Sequence, residues 1–317
     1  MDKKIMTVCG PIGPQDLGFT QSHEHILLRK GQSFLVNEVL WQDEPEKSLD
    51  ELNAYYDAGG RAIVDAQPVG CGRMAADMRK ISFGSDVHII ASTGFHKLCF
   101  YPEDHWIRTS SEEDLTQLYV KELTEGMFED GDDAWPNLVT KALAGQIKTA
   151  LDTEGLTPRY ETLFKAAAAA QVKTGAPLMV QGESGSDPRE LLAMLQAGGV
   201  KAESMIFCHM DRMCPDTTWH KEIASAGCFL EYDTIGRYKY HSDERECELI
   251  REMISEGFAD RLLVSLDTTR ARLGAYGGQI DLCYIIDQFV PLLISSGVSV
   301  DDIRKMTTEN PARAFAY

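Results

Sequence analysis

The chain repeats one pattern: a short apolar run, often rich in β-branched residues, ends in polar residues and is followed by an amphipathic, helix-like stretch. Eight such runs occur, at residues 18–25, 61–67, 87–95, 141–148, 177–183, 204–211, 228–236 and 261–269. Strands buried on both faces that alternate with helices indicate parallel βα units, and eight units indicate a closed barrel. The pattern therefore predicts an α/β fold, a (β/α)8 TIM barrel, with residues 1–317 as a single domain.

Four stretches between the runs have the amphipathic pattern of helices, and several of them end in glycine, a common helix stop. They are residues 48–59, 112–126, 160–175 and 188–199. The alternative architecture is an open, doubly wound sheet. No glycine-rich nucleotide-binding loop follows the first run, which disfavours that alternative.

Charge and hydropathy exclude several classes of protein. The chain has 49 acidic and 31 basic side chains, and the resulting net charge of −18 disfavours binding to nucleic acid or to anionic membranes. No apolar run is long enough to span a bilayer, and the start of the chain lacks the apolar core of a signal peptide, so we expect a cytoplasmic protein. The eight cysteines form no CxxC pair, which favours free thiols over disulfides or a zinc ribbon.

The polar residues at the ends of the runs should meet, because active sites of such barrels lie at the carboxyl ends of the strands. The first run ends in His23, Glu24 and His25. Alternation along a strand directs both imidazoles to one side and Glu24 to the other. Two imidazoles so placed can chelate one divalent ion, although an HxH pair alone is a weak signal.

Three further strand ends supply other ligand types. The fourth run ends in Lys148, the sixth contains His209 and the eighth contains Asp267. An ammonium group in an apolar strand is costly unless it is paired, so Lys148 either forms a salt bridge or is neutral. A neutral amine can take up carbon dioxide and become a carbamate with two ligand oxygens. Imidazole and carboxylate complete the set expected for zinc or a related ion.

These residues lie in segments that resemble the phosphotriesterase-related family of the amidohydrolase superfamily. The segments are GPIGPQDLGFTQSHEHILL, AGQIK, CHMD, SLDTTR and TTENPARAF, and the similarity runs from about residue 7 to the C-terminus. The resemblance implies an amidohydrolase-like barrel with two divalent metal ions, zinc being the expected metal, and it favours a homodimer. It implies that His23, His25 and Asp267 hold the more buried ion, that carbamylated Lys148 bridges both ions together with a hydroxide, and that His209 holds the more exposed ion.

One position departs from the family pattern. The fifth run carries Gln181 where the family has a histidine ligand of the more exposed ion. An amide oxygen is a weaker ligand for zinc than imidazole. The second ion could therefore be held weakly, Glu183 or His96 could replace the missing ligand, or the centre could work with one ion.

The mechanism implied by the resemblance is attack of a metal-bound hydroxide on the substrate, with Asp267 accepting the proton. Substrate choice depends on the loops that follow the strands. Several of these loops carry basic or aromatic residues, which in so acidic a chain predicts a pocket for an anionic small molecule. The predicted substrate contacts are His96, Tyr101, Lys239 and Arg270.

The loops after the third and seventh runs are similar to those of the phosphorylated sugar lactonase branch of the family. We therefore predict a metal-dependent hydrolase that opens a lactone, with an anionic or phosphorylated sugar lactone as the expected substrate. The alternatives are an amidase or carboxyl esterase that uses the same site, or a metal-depleted binding protein without catalytic activity.

Other polar residues on the predicted strands are expected to support the metal ligands or to lie away from the site. Glu231, Asp233 and Asp65 are candidates for fixing the tautomers of the histidines. Strand alternation predicts that Cys208 points away from the side that His209 faces.

Overall fold

The computed structural model describes residues 3–183, 186–214 and 217–317. Eight parallel strands form one sheet in chain order, with helices between them, and the predicted (β/α)8 barrel is confirmed. The first two strands form a separate antiparallel hairpin. The strands are β1 (Ile5–Thr7), β2 (Gly10–Ile12), β3 (Thr20–Glu24), β4 (Ala62–Asp65), β5 (His88–Gly94), β6 (Ala144–Ala150), β7 (Leu178–Gln181), β8 (Met205–Cys208), β9 (Phe229–Tyr232) and β10 (Leu262–Val264).

Helices cover the outside of the barrel, and the four helices predicted from the sequence are confirmed within a few residues of their ends. The α-helices are α1 (Gln32–Val36), α2 (Pro45–Asp57), α3 (Ala75–Ser85), α4 (Glu112–Thr124), α5 (Pro158–Thr174), α6 (Pro188–Ala197), α7 (Met210–Met213), α8 (Thr217–Ser225), α9 (Asp243–Ser255), α10 (Val290–Ser295), α11 (Val300–Arg304) and α12 (Asn310–Ala314). Capping residues determine where several of these helices begin and end. Ser111 caps α4 by accepting a hydrogen bond from Asp114 N, and Gly175 ends α5 in a left-handed conformation with φ 78°.

Seven of the eight apolar runs each contain one whole barrel strand. The run at 141–148 differs in its end point, because β6 continues to Ala150 and Lys148 therefore lies inside the strand. Gly94, opposite Lys148 in the ladder between β5 and β6, allows this close approach. A Cβ atom at Gly94 would lie 2.0 Å from the carbonyl oxygen of Lys148, and the φ of Gly94 is +97°.

Buried apolar side chains fill the interior of the barrel away from the carboxyl ends of its strands. The polar residues lie at those carboxyl ends. Ala62, Val64, Ile90, Met179 and Ile206 belong to one buried cluster, which continues to the hairpin and to the last residues of the chain. The backbone of Lys4 exchanges hydrogen bonds of 3.1 and 3.0 Å with that of Tyr317. The chain ends thus pack together at one end of the barrel.

The barrel closes between β3 and β10, and hydrogen bonds to the side chain of Glu24 join the ends of these two strands. The carboxylate of Glu24 accepts hydrogen bonds from Leu266 N at 2.9 Å and from Thr268 N at 3.0 Å. Asp267 N donates to the carbonyl oxygen of His23 at 3.0 Å. Glu24 therefore points away from the two histidines, as strand alternation predicts, and it fixes the segment that carries Asp267.

Length and hydropathy rule out a membrane-crossing role for every helix in the three described ranges of the chain. The described cysteines form no disulfide; all eight are free thiols, as the sequence predicts.

Candidate metal centre

Three of the predicted metal ligands converge at the carboxyl end of the barrel. His23 lies in β3, His25 follows it directly, and Asp267 follows β10. One ligand atom of each residue lies within 4.8 Å of the others, and Nε2 of His25 is 3.6 Å from Oδ1 of Asp267. This geometry can hold a divalent ion between two imidazoles and a carboxylate.

The side chain of Lys148 is fully buried beside these residues. Its Nζ lies 3.4 Å from Nε2 of His23, 3.3 Å from Sδ of Met179 and 3.8 Å from Sγ of Cys208. In residues 3–183, 186–214 and 217–317 Lys148 makes no ion pair with a carboxylate. The salt-bridge alternative thus finds no support, because the nearest polar atoms to Nζ are an imidazole nitrogen and two sulfur atoms.

The prediction for Cys208 is wrong, because its thiol is inside the barrel with Lys148. The alternation of side chains holds only within a strand, and β8 ends at Cys208. The next residue, His209, turns into the left-handed region with φ 60° and begins α7. Cys208 and His209 therefore both contribute to the same group of candidate ligand atoms.

Carboxylates on and after β9 hold two of the histidines by their Nδ1 atoms. His23 Nδ1 lies 2.9 Å from Oε2 of Glu231, and His209 Nδ1 lies 2.7 Å from Oδ1 of Asp233. Each contact leaves Nε2 available to a cation, so the prediction for Glu231 and Asp233 is confirmed. Asp65 differs, because its carboxylate accepts hydrogen bonds from backbone N atoms of residues 26 and 67.

Burial lowers the affinity of these histidines for protons. It lowers the pKa of His23 and of His209 well below the usual value, and for His209 the charge of Arg212 adds to the effect. Burial likewise lowers the pKa of His25 to about 4, against the opposing effect of Asp267. The three imidazoles are therefore neutral at pH 7, which is the form that binds metals.

Two of the predicted ligands have strained backbones. His209 and Asp267 have φ angles of 60° and 49°, in the left-handed region that non-glycine residues rarely adopt. Such a conformation costs about 1–3 kcal/mol and persists where the surrounding contacts enforce it. At His209 the backbone N donates to Oδ2 of Asp233 at 3.0 Å, and at Asp267 it donates to the carbonyl of His23.

Asp267 is held as an anion by two arginines. Its Oδ2 lies 2.9 Å from Nη1 of Arg212 and 3.2 Å from Nη1 of Arg237. Burial by itself would raise the pKa of Asp267, but Arg237 and Arg212 offset this effect and hold that pKa well below its usual range. The sequence alone does not predict this role for Arg212, although the residue directly follows the run that contains His209.

A cavity of about 500 Å³ adjoins the centre, and its wall is strongly basic. The basic residues that line it are Lys97, Arg212, Arg237, Lys239 and Arg272. His96 also lines the cavity, so two of the four predicted substrate contacts, His96 and Lys239, are in place to meet a ligand. In a chain of net charge −18, this concentration of cations favours an anionic ligand.

The other two predicted contacts are corrected by the structure. Tyr101 is buried, and its hydroxyl accepts a hydrogen bond from His96 N at 2.9 Å, so it supports the loop rather than a substrate. The guanidinium of Arg270 stacks on Trp41 at 3.7 Å from the ring centroid and lies 3.4 Å from Oε1 of Glu44. Both side chains follow the right strands, but the loops turn them away from the cavity.

Gln181 ends β7 and lines the cavity, where the family pattern has a histidine. Of the two residues considered as replacements, Glu183 forms an ion pair with Lys97. His96 stacks on His25 with 6.5 Å between ring centroids, and burial lowers its pKa well below the usual value. His96 is therefore a neutral imidazole close to one of the predicted ligands.

The match with a family model decides the classification. The model of the phosphotriesterase family matches residues 3–315. The chain belongs to this family. It is a hydrolase, so the alternative of a non-catalytic binding protein is not supported.

Individual relatives cover almost the whole chain. A phospho-furanose lactonase from Mycoplasmopsis synoviae is 28% identical, covering 100% of this chain and 92% of its own. An N-acetyltaurine hydrolase from Tetraodon nigroviridis is also 28% identical, covering 99% of this chain and 98% of its own. The crystal structure of a lactonase from Listeria monocytogenes has a TM-score of 0.89 at 30% identity, with 98% of both chains covered.

The family is metal-dependent, and the residues of this centre fit a metal. Burial raises the pKa of Glu231 and Asp233, and for Glu231 repulsion from Asp233 adds to the effect. Two buried carboxyl groups beside neutral imidazoles need positive charge nearby. Divalent ions between the Nε2 atoms and Asp267 would supply that charge.

Replacement of Asp233 with Asn is expected to weaken metal binding by about 10- to 100-fold, because the partner that orients His209 is changed. Asn keeps the shape of the side chain, but it cannot accept both the Nδ1 hydrogen bond and the backbone hydrogen bond of His209 with its two terminal atoms. Competition with a chelator measures the affinity. Asp86→Asn, an exposed replacement at a left-handed residue, is the control. Equal affinities for Asp233→Asn and wild type would contradict the orienting role.

Proposed function

We propose that this protein opens a lactone ring by metal-dependent hydrolysis, and that the substrate carries an anionic group, most simply the phosphate of a phosphorylated sugar lactone. One observation supports this proposal most directly: the cluster of His23, His25 and Asp267 lines the same cavity as the basic residues. The lactonases among the similar proteins support the reaction, and the phospho-furanose lactonases support the phosphate.

The proposed centre holds two divalent ions, with zinc as the proposed metal. His23, His25 and Asp267 would bind one ion, His209 would bind the other, and a carbamate on Lys148 would bridge them. Divalent ions lower the pKa of water towards neutrality and polarise carbonyl oxygens, which is the chemistry that lactone hydrolysis needs. Cys208 and Asp233 lie among the same candidate ligand atoms as His209 and are available near the second ion.

The residues of the chain would divide the remaining tasks. Asp267 stays ionised because Arg212 and Arg237 engage its Oδ2, and this carboxylate would accept the proton that the reaction releases. Glu231 and Asp233 would keep His23 and His209 in the metal-binding tautomer. The charged lining would bind the anionic group and orient the ring of the substrate.

Lys239 is the proposed contact for the anionic group. It is exposed at the cavity, and within the described part of the chain it has no ion pair with a carboxylate, whereas Lys97 is paired with Glu183 and Arg237 with Asp267. The ammonium of Lys239 lies 4.7 Å from the centroid of the Tyr240 ring, and it can give a charge-assisted hydrogen bond to phosphate without breaking an ion pair with a carboxylate. Arg237 beside it would serve mainly Asp267.

A hydrolase for amides is the second candidate, because some relatives bear the name N-acetyltaurine hydrolase. A panel of substrates at saturating zinc or manganese distinguishes the candidates: phosphorylated and neutral five-membered lactones, carboxyl esters and N-acylated amino sulfonates. Our proposal expects the highest kcat/KM for a phosphorylated lactone and loss of that activity after chelation. Faster turnover of amides would favour the second candidate, and hydrolysis that survives complete metal removal would contradict both.

Replacement of Lys239 with Ala is expected to raise KM for a phosphorylated lactone by about tenfold, the loss of one charge-assisted hydrogen bond. The kcat for that substrate and the KM for a neutral lactone should change little, because Lys239 does not contact the metal ligands. Lys201→Ala removes an exposed lysine just before β8, at the other end of the barrel, and serves as the control. A parallel rise in KM for the neutral lactone would show that Lys239 does not recognise the anion.

Replacement of Gln181 with His is expected to tighten binding of the second ion, because imidazole is a better ligand for zinc than an amide oxygen. Metal titration of the two proteins gives the affinities directly. An unchanged affinity would mean that another residue, such as His96, already completes the coordination. A fall in lactonase activity together with tighter binding would indicate that the weaker ligand is required for turnover.

A further inference from the structure

A second cluster of candidate ligands lies beside the loop between β9 and α9. Asp211 is in α7, His241 is in that loop, and Glu246 is in α9. One ligand atom of each residue lies within 4.8 Å of the others. None of the three belongs to the metal centre proposed above.

Glu246 is the unusual member of this cluster. Its side chain is 0% exposed, and neither carboxyl oxygen accepts a hydrogen bond from an N–H or hydroxyl donor of the described residues, although the carboxyl group of Asp211 lies within hydrogen-bonding reach. Buried carboxylates are normally well supplied with hydrogen bonds, because removing the charge from water is costly. Oε2 of Glu246 instead faces Nε2 of His241 at 3.1 Å, and Nε2 also lacks a hydrogen bond in the part of the chain that is described.

Asp211 faces the same space from the opposite side. It is 3% exposed, and its two oxygens accept backbone hydrogen bonds from Thr234 N at 2.6 Å and Arg212 N at 2.9 Å. Each carboxylate oxygen has a second lone pair available. The cluster therefore joins two carboxyl groups and one imidazole in a buried place, an arrangement that requires a shared proton or a cation for balance.

We propose that Asp211, His241 and Glu246 bind a divalent transition-metal ion, separate from the ions at the end of the barrel. One imidazole nitrogen with carboxylate oxygens suits Zn²⁺ or Mn²⁺ better than Ca²⁺ or Mg²⁺, which prefer oxygen alone. The role of this ion is structural. It links α7, which begins directly after His209, to α9 and to the loop that carries Arg237 and Lys239.

The number of Mn²⁺ ions bound per chain tests this site in two comparisons: Glu246→Gln with wild type, and Asp267→Asn with the Asp267→Asn/Glu246→Gln double variant. Glu246→Gln should bind about one Mn²⁺ fewer per chain than wild type, and its melting temperature should rise less when Mn²⁺ is added. Glu244→Gln removes an exposed carboxylate from the same helix and should behave as wild type. The same difference of about one ion should separate Asp267→Asn from the Asp267→Asn/Glu246→Gln double variant, which assigns the lost ion to the second site.

A shared proton gives a different result. If Glu246 is protonated and donates to Asp211, the amide of Glu246→Gln replaces that donor, and neither the ion count nor the response of the melting temperature to Mn²⁺ should change. That outcome would overturn the proposal. His241→Asn alters a loop residue and avoids the buried helix face, so it covers the case in which Glu246→Gln fails to fold; it too should bind about one Mn²⁺ fewer. Lactone hydrolysis by the wild type is independent of these counts, so failure here leaves the proposed reaction untouched.

Discussion

Replacement of Asp267 with Asn is expected to lower kcat for lactone hydrolysis by about 10²- to 10⁴-fold, the usual contribution of a general acid or base. The amide keeps the shape of the side chain but cannot accept a proton in the same way, and it is a weaker metal ligand. Arg212 and Arg237 would also lose the charge that they now face at 2.9 and 3.2 Å. Steady-state kinetics with saturating metal measures the effect.

Asp132→Asn is the matched control for this experiment. Asp132 is also an aspartate paired with an arginine, since its Oδ2 lies 2.7 Å from Nη1 of Arg29, but neither residue lines the cavity. This variant should keep a kcat close to that of wild type. If Asp267→Asn kept the wild-type kcat while it folded normally, Asp267 would have no part in proton transfer.

Replacement of Lys148 with Met is expected to remove bound metal and to lower kcat by at least about 10²-fold, because loss of a ligand should exceed the 10- to 100-fold effect of losing a supporting residue. Methionine is similar in length, flexible and apolar, and the side chain of Lys148 already packs against Met179 and Cys208. The variant should therefore fold. Elemental analysis gives the metal per chain, and kinetics gives kcat.

Two comparisons make the Lys148 result specific. Lys165→Met, on the exposed face of α5, should keep both metal and activity. Wild type prepared without bicarbonate should regain metal and activity when bicarbonate is added, whereas Lys148→Met should not respond. Full metal occupancy in Lys148→Met would show that the lysine carries no bridging carbamate.

The positions of the strands and of most candidate ligands follow from the sequence because they depend on local patterns. Apolar runs of strand length specify β3 to β10, and the polar residues that end them must meet once the sheet closes. His23, His25 and Asp267 are therefore predictable as a cluster. Strand alternation also gives the direction of Glu24 correctly, since that residue lies within β3.

Local rules fail where the backbone leaves regular structure. Cys208 faces inward by regular alternation with Ile206, and His209 joins the same side only because it leaves β8 in a left-handed conformation, which no feature of the sequence specifies. Tyr101 and Arg270 are turned away from the cavity by contacts with His96 and Trp41, residues brought near by the folded loops. Arg212 enters the site because a helical turn after β8 directs it at Asp267.

The barrel, the set of ligand types and the departure at Gln181 can be predicted from the sequence, because hydrophobic periodicity and residue identity are local properties of the chain. The folded chain is needed to see which cations reach the cavity, which carboxylates orient the histidines, and that Asp211, His241 and Glu246 meet. Those relations join residues from different strands and loops. Their geometry depends on packing of the whole barrel, which no segment of the sequence encodes alone.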